Sequence, residues 1–404
     1  MLRGREAHDA HAARIAARIV KTVRHRGDEA LFAWTRKLDG IDLGRESVWI
    51  SENEMRSARR SVAKTFLRAV EHAARNIRNV AQKQLPRPWA LRVEPGVTIA
   101  QLVRPIGSVG CYIPGGRHAL VSTLLMTVIP AQVAGVPRIN VVCPHPNAEM
   151  FAAADFLGVR HMARIGGAQA IAALAYGTRS IPRVEKIVGP GNRFVTAAKQ
   201  LVSNDCAIDL PAGPTEAVIL AERGNPAWIA ADLLAQAEHA PDAGSFLVTT
   251  SKTLALAVRS ETLDQLRQLP QTNPAHSSLR KTGAILLAPS IDAACDFINR
   301  FAPEHLSLPG APDSLLRKTD SAGTIFRGRW AAQPLGDYAS GSNHVLPTAG
   351  WARRRGGLAT SDFVKCITVQ SVDRRGFASL APHVTVLAQA EGLAAHGNAV
   401  EIRR

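Results

Sequence analysis

The sequence has 404 residues, of which 46% are apolar, and it carries a formal net charge of +16. This length and composition predict two or three domains with large cores, and no run approaches the roughly 18 apolar residues of a membrane-spanning helix. The charge comes mostly from dispersed arginines without an aromatic-rich basic stripe, which argues against a nucleic-acid-binding protein.

The N-terminus lacks a signal-peptide core, and the five scattered cysteines lack CxxC spacing. We therefore expect a cytoplasmic protein without a disulfide framework or a thiolate zinc site.

The first half of the chain reads as a helical lead-in followed by an α/β region. Helices are predicted before about residue 80, and strand and helix patterns alternate from Ser108 onward. Asn147 is the predicted N-cap of one of these helices, which ends at Gly158. The predicted strands and helices of this region are 108–113, 122–135, 138–143 and 147–158, followed by two further strand–helix pairs. Four such alternations predict a parallel sheet covered by helices.

A second α/β region begins near residue 216. A strand at 216–221 precedes a helix at 225–240, which Asn225 caps and Pro226 opens at its first position. Pro241 is expected to stop this helix. Further strands are predicted at 245–250, 283–288 and 323–328. The stretch from about Ala359 is short and mixed, which is more typical of an arm than of a domain.

Two glycine-rich turns follow predicted strands. They are "YIPGG" (112–116) and "VGPGNRF" (188–194). Such a turn before a helix lets backbone N–H groups approach a phosphate or a sugar. Neither turn has the GxGxxG dinucleotide pattern, so an ordinary turn of an α/β protein remains the alternative.

An amide and an imidazole lie three residues apart in "LLAQAEHAPDAG" (233–244). On a helix, Gln236 and His239 would share one face and could converge on a metal ion. The HExxH pattern is absent, and glutamine is an unusual ligand. The alternative is a polar, solvent-facing surface, with His239 favoured by the dipole at the helix C-terminus.

Two more segments carry polar side chains suited to chemistry. In "FAPEHLSL" (301–308), Glu304 and His305 are adjacent, and in an extended chain they would point to opposite sides and do different jobs. An exposed acid–base pair without a function is the alternative. The loop "LGDYASGSNHVLPTAG" (335–350) carries Asp337 and His344, and long glycine-rich loops inside compact folds are often functional.

Taken together, these segments resemble the histidinol dehydrogenase family over most of the chain, from "RHRGDEALFAWTRKLDG" (25–40) to "EGLAAHGNAVEI" (391–402). The strings that carry the resemblance include "PAQVAGV", "GGAQAIAALAYGT", "KIVGPGN", "DLPAGPTE", "DLLAQAEH", "APEHL" and "GDYASGSNHVLPT". The resemblance implies oxidation of L-histidinol through histidinaldehyde to L-histidine, the last step of histidine biosynthesis, with two NAD. It also implies one zinc ion per subunit, for which manganese could substitute.

The resemblance assigns roles to particular residues. His305 corresponds to the general base that takes the alcohol proton, and Glu304 to the residue that activates water on the aldehyde. The implied metal ligands are Gln236, His239, Asp337 and His396, the last donated by the other subunit of a homodimer. The implied substrate-binding residues are Thr215, Gln236, His239, His305, Asp337, His344, Glu391 and His396. The implied NAD-binding residues are Tyr112, Gln169 and Asn192.

The resemblance also implies a fold, namely an α/β protein with two incomplete Rossmann-like parallel-sheet domains, a helical N-terminal lead-in and a small C-terminal dimerisation segment. We expect residues 1–106 plus 214–358 to form the substrate and zinc domain, 107–213 the NAD-binding domain and 359–404 the dimerisation arm. The chain begins later than is usual in the family, so we expect the segment that helps pack the dimer to be missing. No nucleic-acid or membrane partner is expected.

Two other functions remain open at this point. A paralogue could apply the same zinc and NAD chemistry to another polar alcohol, and rescue of a histidine auxotroph would distinguish it. A basic nucleic-acid-binding protein on an inactive scaffold would show tight, salt-sensitive binding.

Overall fold

The computed structural model describes residues 9–44, 46–115, 120–210, 213–310 and 313–404. The described lead-in is helical, as predicted, and its helices are α1 (Ala10–Arg26), α2 (Asp28–Asp39), α3 (Glu52–Ser61) and α4 (Lys64–Gln84). Local capping explains where two of them begin. The Asp9 side chain accepts a hydrogen bond from the N–H of Ala12, and Ser51 with Glu54 forms a reciprocal capping box at α3.

A hairpin that the sequence reading did not predict follows the lead-in. Its strands, β1 (Trp89–Glu94) and β2 (Val97–Pro105), pair antiparallel around a turn at Gly96, whose φ is 85°. The signal for this hairpin is present in "WALRVEPGVTIAQLV", where apolar residues alternate around a Pro-Gly turn.

The first parallel sheet has the four strands that the alternation from Ser108 predicts and a fifth, short strand that the sequence did not predict. These strands are β3 (Ser108–Tyr112), β4 (Arg138–Val142), β5 (His161–Ala163), β6 (Lys186–Val188) and β7 (Ala207–Ile208). The helices between them are α5 (Val121–Ala134), α6 (Ala148–Phe156), α7 (Gly167–Tyr176) and α8 (Arg193–Val202). Asn147 caps α6, which confirms the prediction. The strand order across the sheet is β5-β4-β3-β6-β7.

The second parallel sheet also has five strands. They are β8 (Glu216–Leu220), β9 (Gly244–Thr249), β10 (Ala284–Leu287), β11 (His305–Leu308) and β12 (Thr324–Arg327). The helices of this half are α9 (Pro226–Ala237), α10 (Lys252–Gln268), α11 (Ala275–Lys281), α12 (Ile291–Phe301), α13 (Asp313–Leu316) and α14 (Gln333–Tyr338). Asn225 caps α9 and Pro226 opens it, as predicted. The strand order is β10-β9-β8-β11-β12.

The two sheets have the same topology. Within each half the strands lie in the order third, second, first, fourth, fifth, with all strands parallel. This is the order of a dinucleotide-binding sheet that lacks its sixth strand. The predicted fold of two incomplete Rossmann-like halves is therefore confirmed, although the sequence carries no visible internal repeat.

The C-terminal segment begins after two short 3₁₀ helices at Trp351–Arg353 and Thr360–Phe363. It consists of β13 (Val364–Val372), α15 (Arg374–Ala390) and α16 (Ala394–Glu401). β13 pairs antiparallel with β2, so the early hairpin and the end of the chain form one three-stranded sheet. The helices α15 and α16 pack on each other, and α15 also contacts β13.

The lead-in helices pack on the first sheet's helices. α1 lies against α7 and α8, α3 against α6, and α4 against α5. The predicted domain division instead grouped residues 1–106 with 214–358. These contacts favour grouping the lead-in helices with the first sheet.

Within the ranges given above, every helix is too short or too polar to span a bilayer.

Candidate active site

A cleft of about 830 Å³ lies between the two halves. One wall comes from Pro190–Arg193, which follow β6 and open α8. The opposite wall includes Thr215, His239, Glu304 and His344. The first sheet therefore faces the cleft with the carboxyl ends of its strands, and the second sheet faces it with the amino ends of β8 and β11.

A chain of hydrogen bonds holds Glu304 at this wall. The hydroxyl of Thr215 donates to Oε2 of Glu304 at 2.5 Å, and the backbone N–H of Glu216 donates to the same oxygen at 3.0 Å. Nε2 of Gln236 donates to the Thr215 hydroxyl at 3.1 Å, and Nε2 of Gln333 donates to Oε1 of Gln236 at 2.8 Å. All donors in this chain point towards Glu304, so the carboxylate is the acceptor at its end.

His305 lies between two carboxylates. Its Nδ1 is 3.4 Å from the carbonyl oxygen of Glu216 and 3.6 Å from Oε2 of Glu304. Its Nε2 is 3.6 Å from Oδ1 of Asp337, which is too long for a hydrogen bond, and this buried nitrogen has no hydrogen-bond partner. The ring is 4% exposed, so Nε2 is a buried nitrogen that is available to a proton.

The sequence reading placed Glu304 and His305 on opposite sides of an extended chain, and this is wrong. β11 begins at His305, so Glu304 precedes the strand and the alternation of sides does not yet apply to it. Both side chains are buried, and they approach each other to 3.6 Å.

The pKa values of this cluster are coupled. Burial raises the pKa of the Glu304 carboxyl, against the opposing effects of His305 and the Thr215 hydroxyl. For His305, burial alone would lower the pKa, but the carboxylates of Glu304 and Asp337 outweigh burial and the pKa is raised. For Asp337, burial is outweighed by His305 and the pKa is lowered. The cluster favours a histidine that binds a proton readily.

The end of α9 differs from the prediction of one shared helix face. α9 ends at Ala237, so Gln236 is helical and His239 lies in the turn that follows. Nδ1 of His239 faces the carbonyl oxygen of Ala235 at 2.9 Å, so Nε2 is the ring nitrogen that could act as a ligand. Gln236 is fully buried, whereas His239 lines the cleft.

Asp337 and His344 come together through the backbone. Nδ1 of His344 donates to the carbonyl oxygen of Asp337 at 2.9 Å, and the hydroxyl of Thr123 is 3.1 Å from Nε2 of His344. Burial lowers the pKa of His344, in keeping with a neutral ring whose Nε2 accepts from that hydroxyl.

The side-chain amide nitrogen of Gln333 contacts oxygen atoms of two predicted metal ligands. Nε2 of Gln333 is 2.8 Å from Oε1 of Gln236 and 3.5 Å from Oδ2 of Asp337. In the part of the chain that is described, no three His, Cys, Asp or Glu side chains form a cluster that could hold a metal ion. Gln236, His239 and Asp337 nevertheless supply two oxygen donors and one nitrogen donor, a set that suits zinc or manganese.

The remaining predicted ligand and substrate residue lie elsewhere. Glu391 caps the C-terminus of α15, His396 is in α16, and both side chains are exposed. Neither residue lines the cleft.

The predicted NAD-binding residues occupy two different environments. Asn192 lines the cleft, and its side chain caps α8 by accepting from the N–H groups of Phe194 and Val195. Tyr112 and Gln169 are buried, with the Tyr112 hydroxyl accepting from the N–H of Gly167. Gly116, the last residue of "YIPGG", lies outside the described residues.

Sequence reasoning missed Gln333, which holds two of the predicted ligands. It also missed the buried pair of Lys199 and Asp209 beneath the glycine-rich turn. No spacing rule points to Gln333. For Lys199, a lysine on the apolar side of a short helix was the available signal.

Both sheets have the strand order of dinucleotide-binding domains. A buried acid–base pair also lies across the cleft from the glycine-rich turn that precedes α8. These features define the class of the α/β oxidoreductases. Comparisons with known proteins agree with this class. The family model described as histidinol dehydrogenase matches residues 2–404. The histidinol dehydrogenase of Methanothermobacter thermautotrophicus is 46% identical over 396 residues, which is 96% of this chain and 92% of that protein. That of Aquifex aeolicus is 44% identical over 388 residues, covering 96% and 91%.

Solved structures give the same result. The crystal structure of histidinol dehydrogenase from Elizabethkingia anophelis superposes with a TM-score of 0.93 at 37% identity, covering 98% of this chain and 93% of that one. An acetylating aldehyde dehydrogenase from Geobacillus thermoglucosidasius shares the fold alone, with a TM-score of 0.52 at 14% identity, covering 89% of this chain and 98% of that one. The chain belongs to the histidinol dehydrogenase family. It is an oxidoreductase that acts on an alcohol and its aldehyde in histidine biosynthesis.

Proposed function

We propose that Glu304 and His305 carry out the proton transfers in the oxidation of L-histidinol to L-histidine. The observation that carries this proposal is the hydrogen-bonded chain from Gln333 to Glu304, which ends beside a histidine lodged between two carboxylates. When bound, NAD accepts the hydride of each oxidation, and zinc orients the imidazole and amine of the substrate.

His305 is the proposed base of the alcohol step. Since Nδ1 faces the carbonyl oxygen of Glu216, that nitrogen carries the hydrogen and Nε2 accepts the proton. The carboxylates of Glu304 and Asp337 stabilise the resulting imidazolium, as the raised pKa of His305 indicates.

Glu304 is the proposed base of the aldehyde step. It lines the cleft, where water can reach it, and its Oε2 is held by Thr215 and the N–H of Glu216. We expect the other oxygen, Oε1, to take a proton from the attacking water. Burial raises the pKa of Glu304 and so makes its carboxylate a stronger base.

Gln236, His239 and Asp337 are the proposed zinc ligands of one subunit, with manganese as the alternative metal. Thr215 and His344 line the same wall and would contact the substrate. The C-terminus of α9 also favours a cation, because the helix dipole is negative there.

We propose a homodimer in which His396 and Glu391 complete the site of the other subunit. The three-stranded sheet and the α15–α16 hairpin expose many apolar side chains, and such patches mark interaction surfaces. The exposed apolar residues on these elements are Trp89, Leu91, Val93, Ile367, Val369, Val372, Val384, Val386, Leu387, Leu393 and Ile402. Further exposed apolar side chains are Leu335 and Tyr338 of α14, the helix that carries Asp337, and Trp330, which precedes that helix. A second copy of the arm that covers these side chains would bring His396 close to Asp337.

We further propose that residues 107–213 bind NAD and that residues 214–358 hold the substrate and zinc. Asn192 and the turn before it support this division, because they form the wall of the cleft opposite Glu304. Contacts from Tyr112 and Gln169 to NAD are part of the same proposal, and so is a cytoplasmic location.

The first test is NADH formation by the purified protein with L-histidinol and NAD, with and without a chelator and added zinc. We expect about two NADH per histidinol, lost on chelation and restored by metal. A folded, zinc-loaded protein that forms no NADH would instead favour a paralogue that acts on another polar alcohol.

A further inference from the structure

A buried ion pair lies beneath the glycine-rich turn and outside the acid–base cluster. It joins Lys199 of α8 to Asp209, the residue that follows β7, and the two residues are 2% and 4% exposed. Nζ of Lys199 contacts Oδ1 of Asp209 directly. Removing two charges from water is costly, and a pair of apolar residues often serves stability as well or better. The pair therefore calls for an explanation other than stability.

Both members of the pair bind the backbone of Gly189. Nζ of Lys199 donates a hydrogen bond to the carbonyl oxygen of Gly189 at 2.9 Å. The backbone N–H of Gly189 donates to Oδ2 of Asp209 at 2.7 Å. Gly189 has a φ of 115°, and a Cβ at this position would clash with the carbonyl oxygen of Tyr112. An unusual backbone conformation persists only where its surroundings hold it, and here the ion pair holds both of its polar groups.

The residues that follow Gly189 form the wall of the cleft. Pro190 and Gly191 line it, and Asn192 lines it while capping α8. Asp209 also accepts from the N–H of Leu210, a further residue of the cleft wall, at 2.6 Å. The pair thus fixes two backbone segments of the same wall without facing the cleft itself.

We propose that Lys199 and Asp209 are positioning residues for the dinucleotide. They hold Gly189 so that the residues after it, Pro190, Gly191 and Asn192, keep one fixed geometry along the cleft, which lowers the ordering cost of binding. Since the two charges neutralise each other, the pair acts through the backbone of the turn and not by attracting the phosphates. This inference rests on the proposed function, because it takes the turn as part of the NAD site.

The test compares the double variant Lys199→Met/Asp209→Asn with the wild type. Removing both charges avoids leaving one of them buried and unpaired. The dissociation constant for NADH is measured by fluorescence titration, alongside zinc content, thermal unfolding and the KM of each substrate. We expect NADH binding about tenfold weaker and a KM for NAD raised to match. We expect kcat, the KM for histidinol and the zinc content to change less than about twofold.

A matched control separates positioning from stability. Val202 is fully buried in the same helix, and no hydrogen bond joins its side chain to the turn. Val202→Ala should lower the unfolding temperature but leave NADH affinity unchanged. If this double variant fails to fold, Lys199→Leu/Asp209→Asn provides the second variant, because it also removes both charges, and the same selective increase in the KM for NAD is expected.

Two results would overturn the proposal, and they can be told apart. If the folded variant binds NADH like the wild type while Asn192→Ala weakens binding, the turn is the cofactor site but the ion pair does not position it. If Asn192→Ala also leaves NADH binding unchanged, the assignment of the turn to NAD fails, and the inference fails with it.

Discussion

The two halves of this molecule have the same strand order but present opposite edges to the shared cleft. The first sheet presents the carboxyl ends of β3 and β6 and the N-terminus of α8. The second presents the amino ends of β8 and β11 and the C-terminus of α9. A helix N-terminus favours an anion and a C-terminus favours a cation, so one wall suits a dinucleotide and the other a metal.

This difference shows how one topology can support two tasks. In the first wall, the glycine-rich turn before α8 lines the cleft with Pro190, Gly191 and Asn192. In the second wall, the ionisable side chains of His239, Glu304 and His344 line the cleft, and His305 is buried beside Glu304. A cofactor on one wall and a substrate on the other would meet in the cleft between them.

The largest expected effect is a loss of turnover without a loss of cofactor binding. His305→Asn should lower kcat for histidinol oxidation by about 10²–10⁴-fold, because it removes the proposed base. The dissociation constant for NADH should stay at the wild-type value, since that ligand binds the other wall. Steady-state kinetics and fluorescence titration measure the two quantities.

Glu304→Gln tests the division of labour within the second wall. We expect oxidation of histidinaldehyde to fall more than oxidation of histidinol, because only the former needs an activated water. NADH formation is measured with each substrate separately. An equal loss on both substrates would contradict the separate roles of Glu304 and His305.

Metal retention should not depend on side chains of the first half. His239→Ala should abolish zinc binding without unfolding the subunit, as measured by elemental analysis and circular dichroism. His145→Ala is the matched control, because His145 is an exposed histidine of the first half. A variant at His239 that keeps stoichiometric zinc would show that the ligand set is wrong.

A smaller effect on the metal is expected at Gln333. Its amide holds the oxygens of Gln236 and Asp337, and loss of a residue that orients ligands costs about 10–100-fold in metal affinity. Gln333→Ala should therefore weaken zinc binding by that factor in a chelator competition. Gln265→Ala removes an amide that donates to the carbonyl oxygen of Ala227, and it should leave zinc binding unchanged.

The sequence predicts the architecture better than the geometry of the site. Strand and helix periodicity revealed both α/β halves, because buried parallel strands read as apolar runs between helices. The hairpin of β1 and β2 was overlooked despite its alternating pattern, and its pairing with β13 connects residues far apart in the chain. No local pattern encodes such a pairing.

The sequence identifies residues of the candidate site, but it does not predict their contacts or the directions of their side chains. The resemblance picked out Glu304 and His305, yet the rule of alternating sides failed because β11 begins between them. The resemblance also identified Gln236 and His239. However, α9 ends one residue after Gln236, so the two residues do not share a helix face. Gln333 could not be found, since its role depends on contacts 97 residues away along the chain.

The smallest expected effect concerns Asp232, a partly buried carboxylate on α9 of the second half. The first half pairs Asp209 with Lys199, whereas in the second half burial raises the pKa of Asp232 on α9 to about 6. This folded-state pKa is above the ordinary value of 3.8, so protonated Asp232 is favoured by folding. The corresponding stability is present below about pH 4 and is lost as the pH rises through about 6.

Asp232→Asn should therefore raise the free energy of unfolding at pH 7.5 by about 1–2 kcal/mol, after allowance for partial exposure, and change it little at pH 4. Denaturant unfolding at both pH values measures this difference, and an equal effect at the two values would refute the assigned cause.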